Sequence, residues 1–229
     1  MGYYYREYGC SVRAVLEEAA SPATAAPATT GTAKATIGGG NVDVPWVQLW
    51  ENGPKFAEYN VGVTDGKAES YGGYYAWGGS QNKVDDHNKN NTGTGDLSGT
   101  DDTATNLWGS KWRMPTADEL GKKDDSGNYV DGLLGKCTVE TVFDPNDDTK
   151  ILGKKFTGQG DYSSNSIFLP AAGLCSGGTV FVQGDPGYYW SSTPDGSGNA
   201  YYLNFSSGDQ RVYSSNRDYG YPVRAVLNE

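Results

Sequence analysis

The sequence is poor in the residues that catalysis most often uses. It holds one histidine, His87, and three cysteines, Cys10, Cys137 and Cys175, none close enough to another to form a CxxC pair. A nucleophilic triad needs a base beside its serine or cysteine, and no GxSxG elbow occurs. Three widely spaced cysteines also argue against a disulfide framework or a thiolate metal site, so they read as small buried hydrophobes. Basic residues are few, 18 Lys+Arg against 28 Asp+Glu, for a net charge of −10. Nucleic acid, which needs clustered Lys and Arg to replace its counterions, is therefore not an expected partner. No apolar run approaches the roughly 18–20 residues of a membrane span, so no membrane insertion is expected. No signal peptide is visible, so an exported protein would carry its leader outside this sequence.

Glycine and aromatic residues fill the gap. Among 229 residues there are 33 Gly, 17 Tyr and six Trp, and this favours a turn-rich, β-containing domain over a helical bundle. Only 36% of residues are hydrophobic, but large aromatic side chains can still build a core.

The chain opens with a copy of its own end. Setting Arg6 against Arg217 aligns 13 positions through Glu18 and Glu229, and nine are identical, including Gly220, Val223, Arg224, Ala225, Val226 and Leu227. This is an internal repeat, though a partial one. Residues 1–18 thus read as an orphan copy of a C-terminal strand. Residues 19–40, rich in Ala, Thr and Pro, read as a semi-extended linker, and residues 41–229 as the main domain. Two explanations for the copy stay open: the tail of a preceding domain in a tandem array, or a functional strand that pairs at a sheet edge.

Within the main domain, residues 81–102 are polar without an apolar period and read as a long surface loop. In WGSKWRMPTADEL, Thr116 followed by Glu119 predicts a capping box with a short helix from Ala117. Beyond it, TVETVF, KILGKKF, NSIFLPAAG, TVFVQG, NAYYLNF, QRVYSS and VRAVL alternate with turn signals and read as strands. The expected class is α+β: short twisted antiparallel sheets, one or two short helices and long loops.

The ordered blocks NVGV (60–63), YYAWG (74–78), WGSKWRMPTADEL (108–120), NSIFLPAAG (165–173), YYWSST (188–193), AYYLNF (200–205) and NRDYGYPVRAVL (216–227) resemble the Fibrobacter succinogenes major-paralogous domain family. The likeness covers roughly residues 45–229. It implies a C-type-lectin-like fold of the formylglycine-generating-enzyme type and a place on the cell surface or outside the cell, since such domains abound in surface proteins of gut Bacteroidetes. Formylglycine-generating enzymes use a reactive cysteine pair near their C-terminus, and residues 176–229 here contain no cysteine. The resemblance therefore implies the fold without the activity.

Where the two tails differ, Ser214, Ser215 and Asn216 stand against Tyr3, Tyr4 and Tyr5, and Tyr221 against Cys10. Changing the first two adenines of an AAC codon yields Tyr, Ser, Asp, His, Cys or Gly. Adenine-directed change of a C-terminal segment is the mark of diversity-generating retroelements, whose variable proteins are similar in fold. Pro222 against Ser11 and Asn228 against Glu17 do not fit that change. Tyr, Ser, Asn and Asp crowd residues 188–221, a composition like that of antibody paratopes.

The expected function is non-catalytic binding of a protein or glycan ligand. The contact residues are Tyr188, Tyr189, Tyr202, Asn204, Asp209, Arg211, Tyr213, Ser215, Asn216 and Tyr221. Strand alternation places Tyr202, Asn204 and Ser206 outward if Leu203 and Phe205 point inward. Arg224 is also expected outward, while Tyr201 and Tyr219 read as packing. The alternatives are a structural repeat module of a bacterial surface protein with no dedicated ligand, or a degenerate formylglycine-generating-type enzyme. No cofactor is expected. Asp85, Asp86, Asp96, Asp101 and Asp102, with Asn88, Asn90 and Asn91, offer oxygen donors for Ca2+, but their spacing matches no EF-hand. The carbohydrate motifs Glu-Pro-Asn and Gln-Pro-Asp of calcium-dependent lectins are absent too.

Overall fold

The last strand of the chain lies inside its largest sheet. In the computed structural model, residues 28–82, 93–196 and 198–228 are described. The N-terminal copy, residues 19–27 of the linker, His87 and the donors Asp85, Asp86, Asn88, Asn90 and Asn91 lie outside them.

Among the described residues the elements run β1 (Thr30–Ile37), β2 (Gly40–Gln48), β3 (Lys55–Ala57), α1 (Thr103–Trp108), β4 (Trp112–Arg113), α2 (Ala117–Gly121), β5 (Lys122–Lys123), β6 (Tyr129–Asp131) and α3 (Gly132–Lys136). Then follow β7 (Thr138–Asp144), β8 (Asp147–Thr157), β9 (Ser166–Pro170), β10 (Leu174–Ser176), β11 (Thr179–Phe181), β12 (Gly187–Asp195), β13 (Asn199–Phe205), β14 (Gln210–Asn216) and β15 (Val226–Leu227). Antiparallel sheet predominates and the helices are few and short, an arrangement within the α+β to mainly-β range. No helix among the described residues is long and apolar enough to cross a membrane.

The main sheet has the order β1-β2-β3-β15-β4, so the closing strand sits between two earlier ones. One row crosses it: Thr30 faces Val47, Val47 faces Phe56, and Phe56 faces Val226. Strand β1 corrects the linker boundary, because residues 30–37 pair along their whole length with β2. Its alternating Thr, Ala and Lys give no strong apolar period, yet Ala35 is buried.

Among the described residues, two large hydrophobic clusters flank the sheets, with a small third one of Tyr74, Ala172 and Cys175. The first gathers Trp46, Tyr59, Trp77, Trp108, Trp112, Trp190 and Tyr221. The second joins Phe56, Leu120, Phe156, Leu169, Tyr189, Leu203 and Phe205. The predicted capping box is present: Glu119 N donates to Thr116 Oγ1 at 3.2 Å and Thr116 N to Glu119 Oε2 at 2.7 Å. Glu119 also receives a forked pair of bonds from Arg113 at 2.6 and 2.7 Å, which fixes the start of α2.

The polar stretch 81–102 is not all surface loop. Leu97 is buried, and Asp102 caps α1 from a buried site, accepting from Thr105 N at 2.9 Å and Met114 N at 2.8 Å. Burial raises the Asp102 pKa, while those amide bonds oppose the shift. Asp102 is thus a structural cap with its oxygens engaged. Among the described residues no cluster of three or more His, Cys, Asp or Glu could hold a metal ion. Cys137 and Cys175 are buried, as small hydrophobes would be.

Arg224, expected outward, is 1% exposed. Its Nε donates to Asn60 Oδ1 at 2.8 Å, Nη1 to Ala57 O at 3.0 Å and Nη2 to Phe168 O at 2.9 Å. Alternation fails as a guide here because Arg224 precedes β15 in a segment, residues 221–226, that is buried at every position. Burial lowers the Arg224 pKa to about 10, which still leaves it charged at neutral pH.

Asn60 completes the node by donating to Tyr71 O at 2.9 Å and to Tyr189 Oη at 3.2 Å. Replacing it (Asn60→Ala) leaves a buried guanidinium nitrogen without its acceptor. The expected loss is about 3 kcal/mol of unfolding free energy in a denaturant titration. A loss under about 1 kcal/mol would mean that the node does not hold these segments together.

Candidate functional site

Strands β12, β13 and β14 form a three-stranded antiparallel sheet with two unlike faces. The register puts Trp190 against Tyr202, Tyr202 against Tyr213, Tyr188 against Asn204, Asn204 against Arg211, and Ala200 against Ser215. Directly opposed residues point the same way. One face therefore carries Tyr188, Trp190, Tyr202, Asn204, Arg211, Tyr213 and Ser215. The other carries Tyr189, Leu203, Phe205 and Val212, and packs on the second core.

This face is tyrosine-lined and partly covered: Trp190 and Ala200 belong to the first core, Tyr188, Tyr202, Asn204 and Ser215 are half-buried, and Arg211 and Tyr213 are exposed. Tyr188 and Tyr202 have ring centroids 5.8 Å apart, Tyr188 stacks on Tyr221 at 5.0 Å, and Tyr219 stacks on Tyr221 at 6.1 Å. Trp190 lies 4.2 Å beneath Tyr221 and donates from Nε1 to Tyr75 O at 2.9 Å. Tyr213 is 43% exposed. Arg211 reaches back along the strand, donating from Nη1 to Tyr213 Oη at 2.8 Å and pairing with Asp209 in the turn before β14. Nearby Coulombic partners, Asp209 first, raise the Arg211 pKa, so its charge is secure. Asn204 Nδ2 donates to Gly187 O at 3.2 Å.

Six of the expected contact residues meet on this face: Tyr188, Tyr202, Asn204, Arg211, Tyr213 and Ser215. Asp209 borders it through Arg211. Asn216 is exposed but lies on the opposite side of β14, where its Oδ1 accepts from Asp218 N at 2.9 Å and shapes the turn. Two expectations are overturned. Tyr189 is fully buried, its hydroxyl donating to Pro170 O at 2.7 Å. Tyr221 is 2% exposed, its ring packed among Trp190, Tyr188, Tyr202 and Tyr219 and its hydroxyl on Ser215 Oγ at 3.2 Å. Both are large rings with a partner for the hydroxyl, which lets a tyrosine serve as core.

Tyr219 reverses in the other sense. Read as packing, it is 38% exposed and caps the aromatic stack. It follows the Asn216 turn, so strand alternation carried no information about it. Tyr201 is partly exposed at the rim, donating to Asp195 Oδ1 at 3.3 Å.

The face is a platform and not a cleft. A concavity of about 540 Å³ lies elsewhere, lined by Trp50, Glu51, Gly135, Lys136, Gln159, Asp161 and Tyr162, and it touches none of the residues above. No side chain on the face combines a nucleophile with an adjacent base. What the arrangement offers is rigid aromatic area with hydrogen-bonding groups at its edge, as suits surface recognition.

Residues 138–226 match a family model described as "Domain of unknown function (DUF8237)". The matched segment begins at the first residue of β7 and ends within β15, so it contains the whole tyrosine-lined sheet. Neither the curated proteins nor the solved structures include a match to this chain.

The two faces should respond differently to truncation. Tyr213→Ala is expected to change stability by under about 0.5 kcal/mol, and Tyr189→Ala to cost about 3–5 kcal/mol, in paired chemical denaturation curves. Equal costs would contradict the assignment of faces.

The tyrosines also set an alkaline limit. Burial raises Tyr74, Tyr75 and Tyr202 from 10.0 to about 12 each. A raised folded-state pKa contributes stability that is fully present below pH 10 and is lost as pH rises to about 12. Arg224 acts in the opposite sense over that window, since its pKa falls from 12.5 to about 10. Three tyrosines outweigh one arginine, so the urea midpoint should fall between pH 10 and 12. A midpoint that held steady or rose would refute this balance.

Proposed function

We propose that this domain is a C-type-lectin-like, non-catalytic ligand-binding protein of a bacterial surface. Its tyrosine-lined face makes the contact with a protein or glycan, and its outward residues are diversified by adenine-directed change. One observation carries the reading. Tyr188, Tyr202, Asn204, Tyr213 and Ser215 are residue types that such change can produce, and the register sets them on one face. Trp190, which such change of an AAC codon cannot produce, is buried, as are Leu203 and Phe205. Arg211 on the same face is also reachable from AAC (as CGC), and Tyr189 belongs to the set by type but to the core by position.

Physical economy supports the assignment. Tyrosine contributes large contact area with few rotatable bonds, so little conformational entropy is lost on binding. The stacked rings hold that area in place before a ligand arrives.

The test is sequencing of the encoding gene across its source population. Codons 188, 202, 204, 213 and 215 should vary, at adenines, against near-constant codons 189, 190, 203, 205 and 212. Variation spread evenly over buried and exposed codons would end the diversification reading and leave a structural surface module as the better account.

A further inference from the structure

The concavity of about 540 Å³ away from the tyrosine-lined face is built where three segments meet. Trp50 and Glu51 come from the turn between β2 and β3, Lys136 from the end of α3, and Gln159, Asp161 and Tyr162 from the turn after β8. Two buried amides lock the first turn to the last. Gln48 Nε2 donates to Gly53 O at 3.0 Å, and Asn165 Nδ2 donates to Gln48 O at 2.8 Å. Gly158 N then donates to Asn165 O at 3.0 Å, and Asn165 N to Tyr162 O at 2.9 Å. At Gly158 a Cβ would stand 2.4 Å from Leu49 O, so the two turns meet this closely only with glycine there. The hollow is formed before any ligand arrives.

Its aromatic wall is equally fixed. Trp50 is half-buried with its ring 6.0 Å from that of Phe56. The backbone of Gly53 lies against the indole, since a Cβ there would fall 2.4 to 2.6 Å from three ring atoms. Tyr162 is also half-buried.

The polar lining, by contrast, is uncommitted. Glu51, Lys136, Gln159 and Asp161 are exposed, and none of their side chains bonds or pairs with another described residue. The Trp50 indole N–H and the Tyr162 hydroxyl have no partner among the described residues either, whereas Trp77, Trp112 and Trp190 each donate to a backbone carbonyl.

This mixture selects the chemistry of an occupant. An anion would meet two carboxylates against one ammonium, and a cation would meet Lys136. An apolar molecule would take water from the polar groups and return no hydrogen bonds. A neutral sugar meets every demand, because each hydroxyl both donates and accepts while its C–H faces pack on aromatic rings. The volume lies within the roughly 300–1,000 Å³ usual for small-molecule sites. Trp50 also borders a smaller hollow of about 150 Å³ beside Asn52 and Asp118, so the indole stands between two adjoining spaces.

We propose that the concavity around Trp50 binds a neutral oligosaccharide, whose chain continues past the indole into the smaller hollow. The site shares no residue with the tyrosine-lined face and does not depend on what that face binds.

Isothermal titration of the full-length chain tests it, with neutral hexasaccharides of glucose, mannose, xylose and N-acetylglucosamine as probes. At least one should bind with a Kd below about 1 mM, and the corresponding monosaccharide about tenfold or more weakly. Gln159→Ala/Asp161→Ala, at two exposed positions, should weaken that binding about tenfold or more and leave the urea midpoint unchanged, while Tyr213→Ala should leave the affinity unchanged. Failure of all four hexasaccharides to bind would overturn the proposal, as would equal affinity for the monosaccharide. Binding that survives Gln159→Ala/Asp161→Ala and is lost in Tyr213→Ala would move the sugar to the other face and overturn it too. A lysine hexapeptide that binds more tightly than every sugar, through Gln159 and Asp161, would replace it with a cationic partner.

Discussion

The Arg224 guanidinium is the constraint around which the rest of the domain is arranged. Taking a cation out of water costs several kcal/mol unless its hydrogens are met, and no carboxylate is among the acceptors that meet Arg224. Its partners are an amide oxygen and two backbone carbonyls, drawn from residues 57, 60 and 168. Dipoles can hold a buried charge only when they are fixed in advance, so three distant segments must be positioned together. Asn60 passes the constraint on to Tyr189, whose hydroxyl is in turn anchored on Pro170 O. With Tyr189 pinned inward, the pleat of β12 obliges Tyr188 and Trp190 to take the other side. The orientation of the tyrosine-lined face thus descends from a buried arginine near the end of the chain.

That face is stiff for a related reason. Trp190 is held by its indole bond to Tyr75, and Tyr221 lies on it at 4.2 Å. Tyr188, Tyr202 and Tyr219 then rest against Tyr221. Each such ring pair contributes on the order of 0.5–1.5 kcal/mol beyond area burial. The outermost ring, Tyr213, is braced by Arg211, which is itself paired with Asp209. Order therefore decreases outward, from a buried indole to an exposed phenol, and the outermost positions carry the least structural duty.

Much of this was legible in the sequence where local chemistry decides the outcome. The Thr116–Glu119 box names its own helix start, and the period of NAYYLNF places Leu203 and Phe205 inward without any knowledge of the sheet. Reading failed where tertiary context overrides the local signal. Residues 30–37 have weak apolar alternation and become a strand because β2 offers a full edge to pair with. Asp102 appears in a run of polar residues, yet it is the cap that closes α1 onto Met114. Arg224, Tyr189 and Tyr221 are polar by type and buried by partner. A one-dimensional pattern cannot reveal that Asn60 waits 164 residues from Arg224.

The C-terminal segment consequently answers to two demands at once. Between residues 201 and 216 the demands separate in part: pleating sends Leu203 and Phe205 to the second core and Arg211 and Tyr213 to the exposed side, while Tyr202 packs against the first core. Beyond Asn216 they do not separate: Tyr219 and Tyr221 face the aromatic stack while Arg217, Val223 and Arg224 close the core, with no regular alternation between the two roles. Change confined to outward strand positions leaves folding intact, whereas change at Tyr221 alters both the stack and the packing on Trp190. A domain built this way can vary its surface at Arg211 and Tyr213 with little effect on its packing, and can vary it past the turn at Asn216 only by disturbing the segment that closes the core.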